Sequence, residues 1–169
     1  MLLLFRTLYT VIKAYFRSKL QPLETATLTL RVWPNDIDIN RHLNNGRYLS
    51  LMDLGRFDWT VRMGLLRAIF KYKWHPVVAS AHIQYFRSLR PFQKFQLKTR
   101  MLYLDEKWVF MEQTFEALGK TVAIGRVKAL FLGPSGKVPT QEVIKKSGHQ
   151  LDPKDLPKPD SVKAWEELE

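Results

Sequence analysis

The chain has 169 residues, 46% of them hydrophobic and 25% charged, which suffices for one sizeable core and makes one domain the expectation. Its 27 Lys and Arg against 16 Asp and Glu leave a formal charge of +11, favouring an anionic partner: nucleic acid, a phosphorylated ligand or an acidic membrane face. There is no cysteine, so disulfides, thiolate metal sites and a cysteine nucleophile are excluded, in keeping with a reducing, cytoplasmic setting.

The first segment, MLLLFRTLYTVIKAYFRSKL, is strongly apolar, but Arg6, Lys13, Arg17 and Lys19 interrupt it well short of the roughly 18 apolar residues of a membrane span. No basic region precedes the apolar block and no small-residue cleavage site follows, which argues against a secretory signal. Leu2, Phe5, Tyr9, Ile12 and Phe16 recur at helical spacing, predicting an amphipathic helix within residues 1–22. Two destinations are open for it: packing on its own domain or a partner subunit, or peripheral contact of residues 1–20 with an anionic membrane surface.

Thr25 to Val32 (TATLTLRV) alternates Thr with apolar residues and predicts a first strand. The stretch from Trp33 to Asp58, WPNDIDINRHLNNGRYLSLMDLGRFD, then concentrates polar chemistry in a turn that runs directly into a helix. Asp36, Asp38, Asn40 and His42 alternate with Ile37, Ile39 and Arg41, so a roughly extended segment would hold the four polar side chains on one side. Asn44, Asn45 and Gly46 form a helix-start signal, because Asn accepts from unpaired first-turn amides and Gly lets other groups approach the backbone. A carboxylate beside a helix N-terminus is a catalytic layout: the acid serves as base or nucleophile, and the amides hold a developing oxyanion. Helical spacing continues from about Asn45 to Phe70, with a break expected near Gly64.

The second half reads as strand: Pro76 to Leu89, Phe92 to Leu104, Trp108 to Leu118 and Thr121 to Leu132. Arg90-Pro91, Asp105-Glu106-Lys107 and Gly119-Lys120 are turn material, predicting that consecutive strands pair as antiparallel hairpins. The last strand should stop at Gly133-Pro134-Ser135-Gly136, and residues 141–169 form a peripheral tail with a short helix at Ser161 to Leu168. The resulting architecture is α+β, with an antiparallel sheet curled around the long helix and its exposed edges satisfied by a second subunit.

Other chemistries fit poorly. Asp36, Asp38 and Asn40 reproduce the first ligand positions of a calcium loop, but Arg41 stands where Gly is needed and Arg47 where Glu is needed, so no metal is expected. Ser135 lies in Gly-Pro-Ser-Gly, which is no nucleophile elbow, and no phosphate-binding Gly-rich loop is present. No recognised motif accompanies the basic residues, so nucleic acid is not expected as a partner. Arg87, Arg90, Lys94 and Lys98 cluster around one predicted strand pair, where they could hold phosphates. Trp59, Tyr85, Phe86 and Trp108 suit either core or the lining of an apolar tunnel.

The run Asp-x-Asp-x-Asn-x-His-x-Asn-Asn-x-x-Tyr from Asp36 to Tyr48, after one strand and before a long helix, resembles the hot-dog fold acyl-CoA and acyl-ACP thioesterases of the 4-hydroxybenzoyl-CoA thioesterase type. The likeness extends from about Thr25 to Leu132, in a domain spanning residues 23–140. DIDINRHLNNGRYL and LRPFQKFQLKTRMLYLDEKWVFMEQTF most resemble the branch of thioesterase superfamily member 6. The resemblance implies a homodimer, or a tetramer of dimers, with acyl thioester sites at the subunit interface. Carried over by position, Asp38 matches the catalytic acid, Asn40 a residue that positions substrate or water, and His42 a catalytic or polarising imidazole. The amides of Asn45, Gly46 and Arg47 match the oxyanion hole, and Asp36, Asn44, Tyr48, Arg87 and Arg90 are the expected substrate-binding residues. The implied activity is hydrolysis of a fatty acyl thioester on CoA or ACP, with no cofactor beyond the CoA moiety of the substrate itself. The alternative is a noncatalytic acyl-ligand or lipid-binding protein at a membrane surface.

Overall fold

The computed structural model describes residues 2–152 and 156–167, without the Leu2 side chain; Leu168 of the expected terminal helix lies outside them. The elements run α1 (Leu2–Tyr15), β1 (Ala26–Arg31), a 3₁₀ turn (Pro34–Asp36), α2 (Asn45–Arg62), α3 (Leu65–Tyr72), β2 (His75–Tyr85), β3 (Lys94–Leu104), β4 (Val109–Ala117), β5 (Lys120–Gly133), β6 (Gly136–Val138), α4 (Thr140–Ser147) and α5 (Asp160–Glu166). The strands form one antiparallel sheet in the order β1-β3-β4-β5-β2, with β6 paired to β5.

Alternation along β3 turns Phe95, Leu97, Thr99 and Met101 inward, where they meet Leu51, Met52, Leu54 and Trp59 of α2 in one core. Two glycines let helix and sheet approach closely. A Cβ on Gly55 would come within 2.5 Å of Thr99 Oγ1 and 2.7 Å of Gln113 Nε2, and one on Gly125 within 2.5 Å of the Met52 sulfur. α2 begins where Asn44 Oδ1 accepts from the Gly46 N–H at 2.9 Å, and ends before Gly64, whose φ of +78° breaks it from α3. β4 is buried on both faces, because α5 lays Val162 and Trp165 against Phe110 on the side of the sheet away from α2. α4 adds Val143 and Ile144 to the main core.

One expectation needs correction. Arg90-Pro91 does not close a hairpin: β2 pairs with β5, from His75 opposite Leu132 to Tyr85 opposite Ala123. Residues 86–93 instead cross toward β1, with Leu89 buried, its carbonyl accepting from the Leu43 N–H, and Phe92 and Val32 joined backbone to backbone. α1 packs along α2 through the face opposite the apolar one. Thr10 and Ala14 are buried, whereas Phe5, Tyr9, Ile12 and Phe16 are exposed. Among the described residues, no helix is long and apolar enough to cross a membrane.

Candidate active site

The polar loop between β1 and α2 is not extended. Pro34–Asp36 makes a 3₁₀ turn, Ile37 bridges to Leu43, and between them the chain reverses: the Arg41 N–H donates to the Asp38 carbonyl at 3.0 Å, with Arg41 at φ +59°. The four alternating polar side chains therefore diverge. Asp36 turns inward and is 3% exposed; its Oδ2 accepts from Arg6 Nη1 at 2.8 Å and from the Trp33 N–H at 3.0 Å, so it fastens the loop to α1. Asn40 turns out to solvent.

Asp38 and His42 stay together. Oδ1 of Asp38 accepts from the Asn40 N–H at 2.9 Å, which fixes the carboxylate in an Asx turn, and Oδ2 lies 3.5 Å from His42 Nδ1. The same Nδ1 lies 3.3 Å from the Leu43 carbonyl. Both neighbours are acceptors, so they favour the tautomer with the proton on Nδ1, which leaves Nε2 with a free lone pair.

His42 borders a cleft of about 230 Å³ that it shares with Leu43, Asn45, Tyr48, Tyr85, Phe86, Arg87 and Ser88; Asp38 stands behind the imidazole rather than on the wall. The Tyr85 hydroxyl donates to the Asn45 carbonyl at 3.1 Å, tying β2 to the start of α2. Tyr48 is buried, edge-on to Tyr85 at 5.0 Å and to Phe115 at 4.9 Å, and burial together with Tyr85 pushes its phenol up to about 12. It lines the cleft as a neutral aromatic surface with a hydroxyl.

Of the three amides expected to form an anion hole, two are engaged within the chain. Gly46 N–H donates to the Asn44 side chain and Arg47 N–H to the Asn44 carbonyl, both at 2.9 Å, so Asn44 serves as the helix cap. The Asn45 N–H has no such acceptor among the described residues, and Asn45 lines the cleft. The Arg47 guanidinium donates to the Asn35 carbonyl at 3.0 Å.

Arg87 and Ser88 also border an adjoining groove of about 630 Å³ that contains Arg90, Gln93 and Lys120. Arg87 donates to the Thr121 carbonyl at 2.9 Å, which sets its side chain against β5. The expected basic cluster is therefore redrawn. Lys98 pairs with Glu116 at 2.7 Å and Lys94 lies in a separate groove, while Lys120 joins Arg87 and Arg90 because the β4–β5 turn comes alongside residues 87–93. Lys120 and Ser88 were not expected at the site from the sequence, since only the crossing of residues 86–93 brings them together in the adjoining groove. Among the described residues, no group of three His, Asp or Glu side chains could hold a metal ion.

A family model for the thioesterase-like superfamily matches residues 32–165, nearly all of the chain after α1. The chain belongs to that superfamily. Protein THEM6 of Xenopus laevis is 41% identical over 87 residues, 52% of this chain and 42% of that protein. Protein THEM6 of Danio rerio is 36% identical over 111 residues, 65% and 55% of the two chains. The chain spans about half the length of these relatives. Among solved structures, the Staphylococcus aureus protein SAV2348 in complex with CoA superimposes with a TM-score of 0.67 at 16% identity, over 80% of this chain and 91% of that one. Slr0204, a 1,4-dihydroxy-2-naphthoyl-CoA thioesterase from Synechocystis, superimposes with a TM-score of 0.62 at 14% identity, over 75% and 100%. Both share the hot-dog fold with this member of the thioesterase-like superfamily. The matched region contains the Asp38–His42 pair, the start of α2 and both grooves.

Proposed function

We propose that the chain is an acyl-CoA thioesterase that hydrolyses a fatty acyl thioester to the free acid and the CoA thiol. The observation that carries the reading is the Asp38–His42 pair bordering a cleft at the N-terminus of α2, within a chain of the thioesterase-like superfamily. His42 takes a proton from water through Nε2, and Asp38 holds the ring and favours the imidazolium that forms. The water oxygen attacks the thioester carbonyl, the Asn45 N–H at the positive end of α2 steadies the oxyanion, and the carbon–sulfur bond then breaks. The departing thiolate receives the proton from His42.

The remaining expected residues take supporting places. Asn44 preserves the geometry of the Asn45 amide by capping α2, whereas Asn40 faces solvent and lies outside the cleft. Tyr48, Tyr85 and Phe86 bed the acyl chain. Arg87, Arg90 and Lys120 receive the CoA phosphates in the adjoining groove. Two copies of the chain pair along β2, which carries Tyr85 at its end and, among the described residues, has a strand neighbour on one side only.

The direct test is release of free thiol from acyl-CoAs of graded chain length, comparing the protein with Asp38→Ala and His42→Ala. Turnover by the wild type that both substitutions diminish is the expected result. Absence of turnover at every chain length, with acyl-CoA still bound, would establish the noncatalytic acyl-ligand protein instead.

A further inference from the structure

Two ion pairs set the rotation of α1. Arg6 Nη1 meets Asp36 Oδ2 at 2.8 Å near the first turns, and Arg17, just beyond the last, meets Asp58 Oδ1 at 2.9 Å while also donating to the Thr27 carbonyl at 3.0 Å. With those contacts made, Leu3, Thr10 and Ala14 face the domain. Leu4, Phe5, Leu8, Tyr9, Ile12 and Phe16 are left outward, between 51% and 81% exposed. At about 100° per residue they cover roughly 140° of the helix surface, the width of stripe a helix ordinarily turns into a core. α1 therefore does the reverse of an ordinary surface helix, and its ion pairs prevent it from rolling over to bury the stripe.

The charge around this stripe identifies what covers it. The first 23 residues contain no acid, and of their four cations Arg6 and Arg17 are spent on Asp36 and Asp58. Lys13, which lies 5.7 Å from the Tyr9 ring centre, and Lys19, beyond the C-terminal end of α1, remain exposed. A second copy of α1 would bring these cations against their own kind. An anionic bilayer would accept the apolar stripe in its acyl boundary and the two lysines at its headgroups.

We propose that α1 is a monotopic membrane-docking helix that seats the domain on an anionic lipid surface, with Arg6–Asp36 and Arg17–Asp58 locking its apolar face outward. Because Asp36 belongs to the loop that carries Asp38 and His42, the docked helix holds that loop beside the bilayer, where an acyl thioester partitioned into lipid is supplied. The supply role rests on the thioesterase reading; the docking does not.

The test is cosedimentation of the full chain with vesicles, performed without substrate so that the two readings fail separately. The protein should pellet with equimolar phosphatidylcholine–phosphatidylserine vesicles and be released by high salt or by vesicles of phosphatidylcholine alone. Phe5→Glu with Ile12→Glu should lower the partition coefficient at least about tenfold, and Lys13→Glu about fivefold. Circular dichroism and hydrolysis of a short, soluble acyl-CoA should be unchanged in both, since none of these residues touches the cleft. Failure of the wild type to bind, or equal binding by the Phe5/Ile12 variant, would overturn the proposal. So would concentration-dependent self-association that the same variant abolishes, which would make a second copy the occupant.

Discussion

Nδ1 of His42 lies between two oxygens, 3.5 Å from the Asp38 carboxylate and 3.3 Å from the Leu43 carbonyl, on a turn whose own hydrogen bonds hold the carboxylate in place. The imidazole borders the cleft and the acid does not, so the proposed mechanism asks different things of the two. His42→Ala should lower kcat by about 10²–10⁴, the usual contribution of a positioned base. Asp38→Asn should lower kcat by up to about 10⁴, as when the acid that orients a general-base imidazole is replaced by its amide. The double variant should lose little beyond His42→Ala, because the acid acts through the ring. Steady-state thiol release measures all three, and multiplicative losses in the double variant would show that the two act independently.

This division was only half legible in the sequence. The start of α2 was readable, because Asn44 and Gly46 mark a helix N-terminus whatever surrounds them. The alternation from Asp36 to His42 was misleading, since it presumes extended backbone. Asp38 takes the Asn40 N–H into its own side chain and Arg41 adopts a left-handed φ, and these local bonds outweigh the strand period. The partner of Asp36 lies 30 residues earlier, where no local pattern reveals it. α1 illustrates the same limit: its periodicity showed that it had two faces, but the two distant carboxylates decided which faced inward. The pairing of β2 with β5 was hidden because a turn sequence shows that the chain bends, not which strand it joins next.

Gly55 lets α2 approach the sheet closely, a Cβ there falling 2.5 Å from Thr99 Oγ1. Gln113 Nε2 donates to the Met52 carbonyl at 2.8 Å and to Thr99 Oγ1 at 3.0 Å, and its Oε1 accepts from Arg56 at 2.8 Å. Burial lowers the Arg56 pKa, with Asp53 acting the other way, so this amide holds a costly charge in place. Gly55→Ala would place a methyl 2.7 Å from Gln113 Nε2 and should destabilise the fold by about 1–3 kcal/mol despite better helix propensity. Urea unfolding provides the measurement, and a stabilised variant would contradict the packing argument.

Asp58 is 1% exposed and stands between Arg17, 2.9 Å from one carboxylate oxygen, and Arg62, 3.4 Å from the other. Asp58→Ala would leave the buried Arg62 without its carboxylate, so a loss of about 3–5 kcal/mol is expected. α1 should loosen as well, which hydrogen exchange along Leu2–Tyr15 would register as lost protection. Unchanged exchange there would show that Arg6–Asp36 alone holds the helix.

β2 runs along the margin of the sheet, and Val77 and Val78 are 39% and 40% exposed on it. If two copies join at this edge, sedimentation should give a dimer that Val77→Lys with Val78→Lys converts to monomer, by placing like charges across the seam. A wild-type monomer at micromolar concentration would exclude the pairing.

Tyr48 makes stability depend on alkaline pH. An unfolded tyrosine ionises near about 10, whereas burial and Tyr85 push the folded Tyr48 up to about 12. The folded chain thus keeps a proton that the unfolded chain has already released. The stabilisation is fully present below about pH 10 and is lost as the pH rises toward about 12. Tyr48→Phe retains the ring packed edge-on to Tyr85 and Phe115 but has nothing to titrate. Its urea midpoint should therefore fall less steeply over that interval than the wild type's, and parallel profiles would place the alkaline sensitivity elsewhere.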